Sequence, residues 1–344
     1  MRSEDSHFNI LIVGGTGVGK SSLVNYLVGS SVAKVGVGVP VTSRDDVPRY
    51  DSEFDGVKIS LYDTWGIECD KVKDWQGRIR KIIGDATTDG VAWFNAVVYC
   101  VSAGGHRIQD YDLKMIRFFK DEGYSEVVAL TKADQASDND CINLKGDLPR
   151  DVPDVEVSSG GEGRFGRVQP FGREDLLRVI VSESGKNLSI RMRNFGRSQV
   201  EKWRTRMLEN LEAKEISRWG NKDHEKWIMG EANAFAVSCP QLLADYCESQ
   251  QWMLAKLGAG LSSPSIRIDD SDLFRSGGSL SALDVMGMVA LSPIFVPFAI
   301  YEFIANGKEG ELSKLRDAIE RASGQLKKSV NDLCAAYAEK IEFC

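Results

Sequence analysis

Seven cysteines stand in the 344 residues without one C-x-x-C pair, and only three histidines accompany them. A zinc cluster or a disulfide framework needs a denser, regularly spaced set, so the cysteines read as reduced core or surface thiols. His106 and His224 read as polar surface residues. No apolar run reaches the roughly 20 residues of a simple spanning helix. The segment Ile10 to Val13 is too short for a secretory signal, so none is expected, and Cys344 does not fit C-a-a-X. A basic excess is also missing: 43 Lys plus Arg face 50 Asp plus Glu, a formal charge of −7. That disfavours broad nucleic-acid binding. Residues 1–185 hold 22 basic and 29 acidic side chains and 186–344 hold 21 of each, so the whole deficit lies in the first half.

What the chain does have is Gly14-Gly15-Thr16-Gly17-Val18-Gly19-Lys20-Ser21, directly after the apolar stretch Phe8 to Val13. It fits G-x-x-x-x-G-K-[ST], and the spacing has a physical reason. Glycines let the chain turn so tightly that successive backbone N–H groups point at phosphate oxygens. Lys20 would reach the β- and γ-phosphates, and the Ser21 hydroxyl would take one Mg²⁺ position. Ser22 opens the helix whose positive end faces the anion. The expected ligand is a nucleoside phosphate.

Three later segments complete a pocket. Ile59 to Gly66 is an alternating strand ending in D-x-x-G, where Asp63 would hold Mg²⁺ through water and the Gly66 N–H would meet the γ-phosphate. The apolar run Val127 to Leu130 enters Thr131-Lys132-Ala133-Asp134, which looks like the [NT]KxD motif that reads guanine. A carboxylate there accepts hydrogen bonds from guanine N1 and N2, which adenine cannot donate, so Asp134 would set base choice while the Lys132 stem lies along the base. Val155 to Ser159 ends another strand, at the place where a backbone N–H of Ser158 or Ser159 would meet guanine O6. Each motif falls at the C-terminal end of a predicted strand, where open α/β sheets bind ligands.

In this set and order the chain resembles the translation-factor-related P-loop GTPases, with wording that leans toward the Era, septin and interferon-inducible branches and the 50S ribosome-binding type. The resemblance covers roughly residues 8–182. It implies GTP and GDP as substrate and product, Mg²⁺ as cofactor, and a switch I threonine that ligates the metal. Thr42, in the glycine-rich loop Val35 to Thr42, is the candidate, with Ser43 as the fallback; such a loop orders with GTP and loosens after hydrolysis. Two departures stand out. Trp65 replaces the proline often found in D-T-P-G. Ile67 stands where Ras-type members carry the water-orienting glutamine, so the sequence names no catalytic residue. Gly17 likewise takes the place of the asparagine of potassium-dependent relatives, and intrinsic turnover is expected to be slow.

The expected architecture is α/β: a doubly wound, mostly parallel G domain over 1–185, then an all-α domain over 186–344. Strands are expected through Ala92 to Ser102, and helices at Asp110 to Asp121, Arg173 to Glu183, Ser198 to Trp219, Asp223 to Leu257 and Gly310 to Ile341. Ser262 to Gly278 reads as a loop. The uncharged run 285–301 contains Pro293 and Pro297, which break or kink a helix. It reads either as a buried helix pair or as a short element dipping into a bilayer. The basic stretch 186–206, with Arg191, Arg193, Arg197, Lys202, Arg204 and Arg206 around Glu201, reads as a solvated helix face or as a surface for anionic headgroups or RNA. The functional expectation is a GTP hydrolase acting as a switch or assembly-coupled machine, cytoplasmic or peripheral to a membrane, with pairing of two G domains as one route. The alternatives are a non-catalytic GTP-binding scaffold and a soluble ribosome-assembly switch.

Overall fold

A computed structural model describes residues 7–29, 47–67, 73–79, 94–105, 107–163, 166–213, 221–261 and 311–342. The chain divides into two compact units: Arg2–Leu188 with Gln250–Leu273, and Ser189–Ser249 with Phe274–Cys344.

The first unit is built on a six-stranded sheet in the order β2-β3-β1-β4-β5-β6. The strands are β1 (His7–Gly14), β2 (Arg49–Phe54), β3 (Val57–Asp63), β4 (Ala96–Ser102), β5 (Glu126–Thr131) and β6 (Asp154–Val157). All neighbours run parallel except β2, which pairs antiparallel with β3. A parallel sheet is covered on both faces, so its strands read as continuous apolar runs. Phe8 to Val13, interrupted by the buried Asn9, and Ala96 to Val101 are such runs and are buried throughout. The β2–β3 pair instead closes on Asp55-Gly56, both at positive φ, the two-residue turn whose twist suits an antiparallel hairpin.

Helices cover both faces: α1 (Lys20–Val28), α2 (Asp110–Asp121), α3 (Asp138–Asp147) and α4 (Arg173–Lys186). One face packs Ile10, Ile12, Val98 and Val127 against Leu23, Leu176 and Ile180. The other packs Leu11, Tyr99, Val128 and Leu130 against Met115, Ile116 and Phe119 of α2. The doubly wound expectation holds, and α2 begins and ends at the residues expected. A small hairpin, β7 (Gly161–Gly163) with β8 (Gly166–Val168), follows β6.

Three long helices follow: α5 (Leu188–Ala213), α6 (Asn221–Leu261) and α7 (Glu311–Glu342). The last residues of α6 belong to the sheet-bearing unit. Met253, Leu254, Leu257 and Leu261 enter its core, and Arg178 of α4 donates to the Leu261 carbonyl at 3.2 Å. A buried polar knot forms at the same base. The Asn95 side chain accepts from the Asn9 N–H at 2.7 Å and donates to Gln250 Oε1 at 2.5 Å, while Ser184 Oγ donates to the Asn95 carbonyl at 3.1 Å.

The helical unit buries Trp203, Met207, Leu243, Ile319 and Val330. Phe195 stacks on Tyr246 at 4.3 Å between ring centroids, and Arg191 is fully buried beside that tyrosine. The basic stretch 186–206 is therefore not a uniformly solvated face. Arg204 forms a two-pronged pair with Glu320 and lies near Glu201; Lys327 also pairs with Glu201, and Arg206 with Glu231 at 3.5 Å. Two of its six cations, Arg204 and Arg206, thus pair with other helices of their own unit. The run 285–301 and the loop Ser262 to Gly278 lie outside the described residues. Among the described residues, no helix is long and apolar enough to cross a membrane.

Candidate nucleotide site

At β1 the order of strand addition switches sides, β3 lying on one flank and β4 on the other, and the turn leaving β1 is the predicted phosphate loop. Lys20, the first residue of α1, is buried and folds back over that loop, donating to the carbonyls of Gly14 at 3.1 Å and Gly15 at 2.8 Å. Burial lowers its pKa, opposed by the neighbouring Cys100 and Asp63. Burial likewise pushes the Cys100 thiol up to about 12, so it stays a neutral wall of the site. Among the described residues the hydrogen bonds of Lys20 go to two carbonyls, so a phosphate anion would offer its ammonium a stronger partner.

Ser21 Oγ donates to Asp63 Oδ2 at 2.7 Å, and Asp63 is 1 % exposed at the end of β3. A hydroxyl and a carboxylate side by side at the mouth of a phosphate loop form a hard oxygen donor set, which fits Mg²⁺ completed by phosphate oxygens and water. Thr64 locks the next step of the chain, its hydroxyl donating to the Ile12 carbonyl at 2.9 Å.

Gly66 then passes directly over the loop. A Cβ placed on it would lie 2.6 Å from Thr16 Cα and 2.8 Å from Thr16 Cβ, so only glycine permits this approach. The Ile67 N–H donates to the Gly14 carbonyl at 3.1 Å, and Gly15 and Ile67 form a parallel bridge. The Ile67 side chain is 2 % exposed, in one cluster with Trp65 and Trp75. Trp65 and Trp75 lie 6.0 Å apart, and Trp75 Nε1 donates to the Trp65 carbonyl. The position of a Ras-type glutamine is thus a core anchor that does not present a polar group to the site. Trp65, which takes the usual proline position, supplies part of the wall it packs into.

The other end of the loop is held by the second motif. Thr131 Oγ1 donates to the Val18 and Val101 carbonyls, the latter at 3.1 Å, and Lys132, at φ 53°, donates from Nζ to the Gly17 carbonyl at 2.7 Å. Asp134 follows in the short helical turn Ala133–Gln135 and is half-buried. Ser158 directly follows the adjacent β6, is buried, and is fixed by a two-way backbone pair with Phe171 at 3.1 and 3.0 Å; Ser159 beside it is exposed. Ser22 sits in the first turn of α1. The expected residues from Gly14 to Ser22, with Asp63, Gly66, Thr131 and Lys132, therefore meet around one loop, while Asp134, Ser158 and Ser159 stand at the ends of the two strands beyond it. Thr42 and Ser43 lie outside the described residues. The bracing roles of Thr131 and Thr64 were not signalled by the sequence motifs, because each depends on a carbonyl contributed by another strand.

Residues 9–132 match the family model of the 50S ribosome-binding GTPases. This part of the chain is a P-loop G domain of the GTP-binding class. The chain is 28 % identical over 183 residues to the GTPase Der of Azoarcus sp. (strain BH72), covering 53 % of this chain and 39 % of that protein. It is 26 % identical over 175 residues to a probable GTP-binding protein EngB of Aquifex aeolicus (strain VF5), covering 50 % and 89 %. The chain thus spans about two fifths of the Der protein and most of the EngB protein. Among solved structures, a probable GTP-binding protein engB is matched at 22 % identity and a TM-score of 0.35 over 51 % of this chain and 98 % of that one. The septin GTPase domain of Chlamydomonas reinhardtii is matched at 16 % and 0.39 over 51 % and 89 %.

Proposed function

We propose that the G domain binds GTP with Mg²⁺ and hydrolyses it to GDP and phosphate, working as a conformational switch whose output passes to the helical unit. The observation that carries this reading is the pair of Ser21 with the buried Asp63, 2.7 Å apart, beside a lysine turned onto its own loop. A nucleotide would draw Lys20 from the Gly14 and Gly15 carbonyls to the β- and γ-phosphate oxygens, since a charged acceptor makes the stronger hydrogen bond. Bound Mg²⁺, held by Ser21 directly and by Asp63 through water, with Thr42 proposed for a further position, would neutralise charge on the phosphates. Gly66, already against Thr16, would offer its N–H to the γ-phosphate. Asp134 would take guanine N1 and N2, with Ser158 and Ser159 at O6. Adenine would leave the Asp134 carboxylate without donors.

With Ile67 in the core, hydrolysis rests on phosphate positioning, and a water-orienting group is supplied by another segment or by a partner. That makes intrinsic turnover slow. The buried Ile67 also favours one second reading, a GTP-binding scaffold without turnover. The two separate on one assay: GTP turnover by the full chain across a concentration series, with ATP as control and Lys20→Ala as reference. Turnover with GTP alone, abolished in Lys20→Ala, supports the hydrolase; tight GTP binding with equal phosphate release in both proteins sinks it. Turnover per molecule that rises with protein concentration or with anionic vesicles would add G-domain pairing or membrane recruitment through 285–301.

A further inference from the structure

We infer that Tyr111 is a positioning residue for the terminal-phosphate side of the site, acting through the backbone of Gly15; this deepens the GTPase reading above and rests on it. The Tyr111 hydroxyl oxygen lies 2.8 Å from the point where a Cβ on Gly15 would stand. The next atom, Val18 Cγ1, is 3.4 Å away. Gly15 is the residue through which the phosphate loop bridges to Ile67, and its neighbour Thr16 is the one over which Gly66 passes. The hydroxyl therefore bears on the loop at the join between the two segments that would place N–H groups at the γ-phosphate.

The residue is held there from behind. Asp112 is buried; it accepts the Tyr99 hydroxyl of β4 at 2.7 Å and the Gln109 N–H at 2.9 Å, which closes a capping box on α2. The first turn of α2 is thus tied to the central sheet. The Tyr111 ring packs on the same cluster that contains Trp65 and Ile67. One side chain consequently stands against the phosphate loop and packs on the cluster to which Ile67 belongs. Where no glutamine side chain enters the site, the placement of these backbone groups is what remains to favour the terminal phosphate. A tyrosine that sets the distance between the two segments tunes that placement without touching nucleotide.

The test is a double-mutant cycle on the full chain with Tyr111→Phe, Gly15→Ala and both together. Affinities for GDP and for a non-hydrolysable GTP analogue are measured alongside kcat, KM and thermal unfolding. Tyr111→Phe is expected to leave GDP affinity and unfolding temperature unchanged, to lower the analogue-to-GDP affinity ratio by about tenfold, to raise KM for GTP in step because slow turnover makes KM follow affinity, and to lower kcat as well. Gly15→Ala introduces a methyl against the hydroxyl and lowers the same ratio. In the Tyr111→Phe background that methyl meets no hydroxyl, so the added loss must be smaller than in the wild type. Equal weakening of GDP and analogue in Tyr111→Phe, an unchanged ratio, or additive losses would each overturn the inference. Should Gly15→Ala fail to fold, the Tyr111→Phe ratio alone decides. A wild-type chain that binds no GTP defeats the proposed function as well, whereas GTP binding with an unchanged Tyr111→Phe ratio defeats this inference only.

Discussion

Replacing Gly66 with alanine tests the closest approach in the site. The new methyl would stand 2.6 Å from Thr16 Cα and 2.8 Å from Thr16 Cβ. Ordinary contact between such carbons is about 3.5–4.0 Å, so the two backbones must part by roughly 1 Å. A side-chain rotation cannot relieve this, because the nearest carbon is main chain. Parting also stretches the Ile67 N–H bond to the Gly14 carbonyl, now 3.1 Å, out of hydrogen-bonding range. The lost bond costs about 1 kcal/mol, and the overpacking about 1–3 kcal/mol. For a unit of this size a loss of about 2 kcal/mol lowers the unfolding temperature by roughly 4–8 °C. Function should suffer selectively: the Gly66 N–H leaves the γ-phosphate position while Lys20, Ser21 and Asp134 stay, so a GTP analogue weakens more than GDP. Calorimetric unfolding and competitive nucleotide titration read the two effects. Thr16→Ala should not rescue Gly66→Ala, because the clash with Cα persists. An alanine variant with wild-type unfolding and an unchanged preference for the GTP analogue would refute the close-approach argument.

Asp134→Asn replaces an acceptor-only carboxylate with an amide that offers one acceptor, and should weaken GTP by about 10²-fold or more without improving ATP; a fluorescent-nucleotide titration shows it, and equal loss of both nucleotides would remove Asp134 from base reading. Asn95→Ala leaves the Asn9 N–H without its side-chain acceptor and Gln250 Oε1 without this donor inside the base of the unit, so chemical denaturation should show a loss of about 2–4 kcal/mol with nucleotide affinity in the folded protein unchanged. Glu126, 6 % exposed, has neither carboxyl oxygen hydrogen-bonded among the described residues, and burial holds its pKa well above the usual range against the opposing pull of Lys120. Its folded state keeps the proton where the unfolded state loses it. Stability should therefore fall as pH rises from the unfolded value near 4.3 towards the raised folded value, by up to about 1.4 kcal/mol per pH unit. Glu126→Gln should flatten this slope in denaturation series at several pH values, and an unaltered slope would place the titration elsewhere.

The sheet was legible because a parallel strand buried on both faces must be apolar along its whole length, and the runs at Phe8, Ala96 and Val127 leave no alternation to misread. The phosphate loop and the T-K-x-D segment were legible because their chemistry demands particular residues at fixed spacing. β2 was not, since an edge strand of sequence Arg-Tyr-Asp-Ser-Glu-Phe alternates exposed and half-buried residues and carries charge, and its only strong signal is the Asp55-Gly56 turn after it. α3 was hidden for a related reason. Its moment is slight, with only Cys141 and Leu144 buried, and its start is marked by the capping box of Ser137 and Asp140 rather than by an apolar stripe. The end of α6 misleads more deeply: Trp252 to Leu261 continues the helical periodicity of the preceding residues, and nothing local says that Met253, Leu254 and Leu257 serve a different core.

What escaped the sequence at the site shares one property, which is that it depends on a main-chain group from a distant segment. Thr131 braces the loop by finding the Val18 carbonyl, Lys132 by finding that of Gly17, and Tyr111 by standing where Gly15 has no side chain. Spacing motifs encode the groups that would meet the nucleotide, because the ligand imposes the spacing. The groups that hold those groups in place are imposed by the packing of this particular chain, here by a buried isoleucine and two tryptophans. A loop so braced from Thr131 and Lys132 on one end and from Gly66 and Tyr111 on the other has little freedom of its own. The response to a γ-phosphate must then be carried by the segment that meets it at Gly66, whose backbone is fixed to the loop at Ile67 and whose side chains lead straight into the Trp65–Trp75–Phe119 cluster on α2. Any nucleotide-dependent change in this protein should therefore register first in those two tryptophans, whose fluorescence would differ between GDP and a GTP analogue in the wild type and lose that difference in Gly66→Ala.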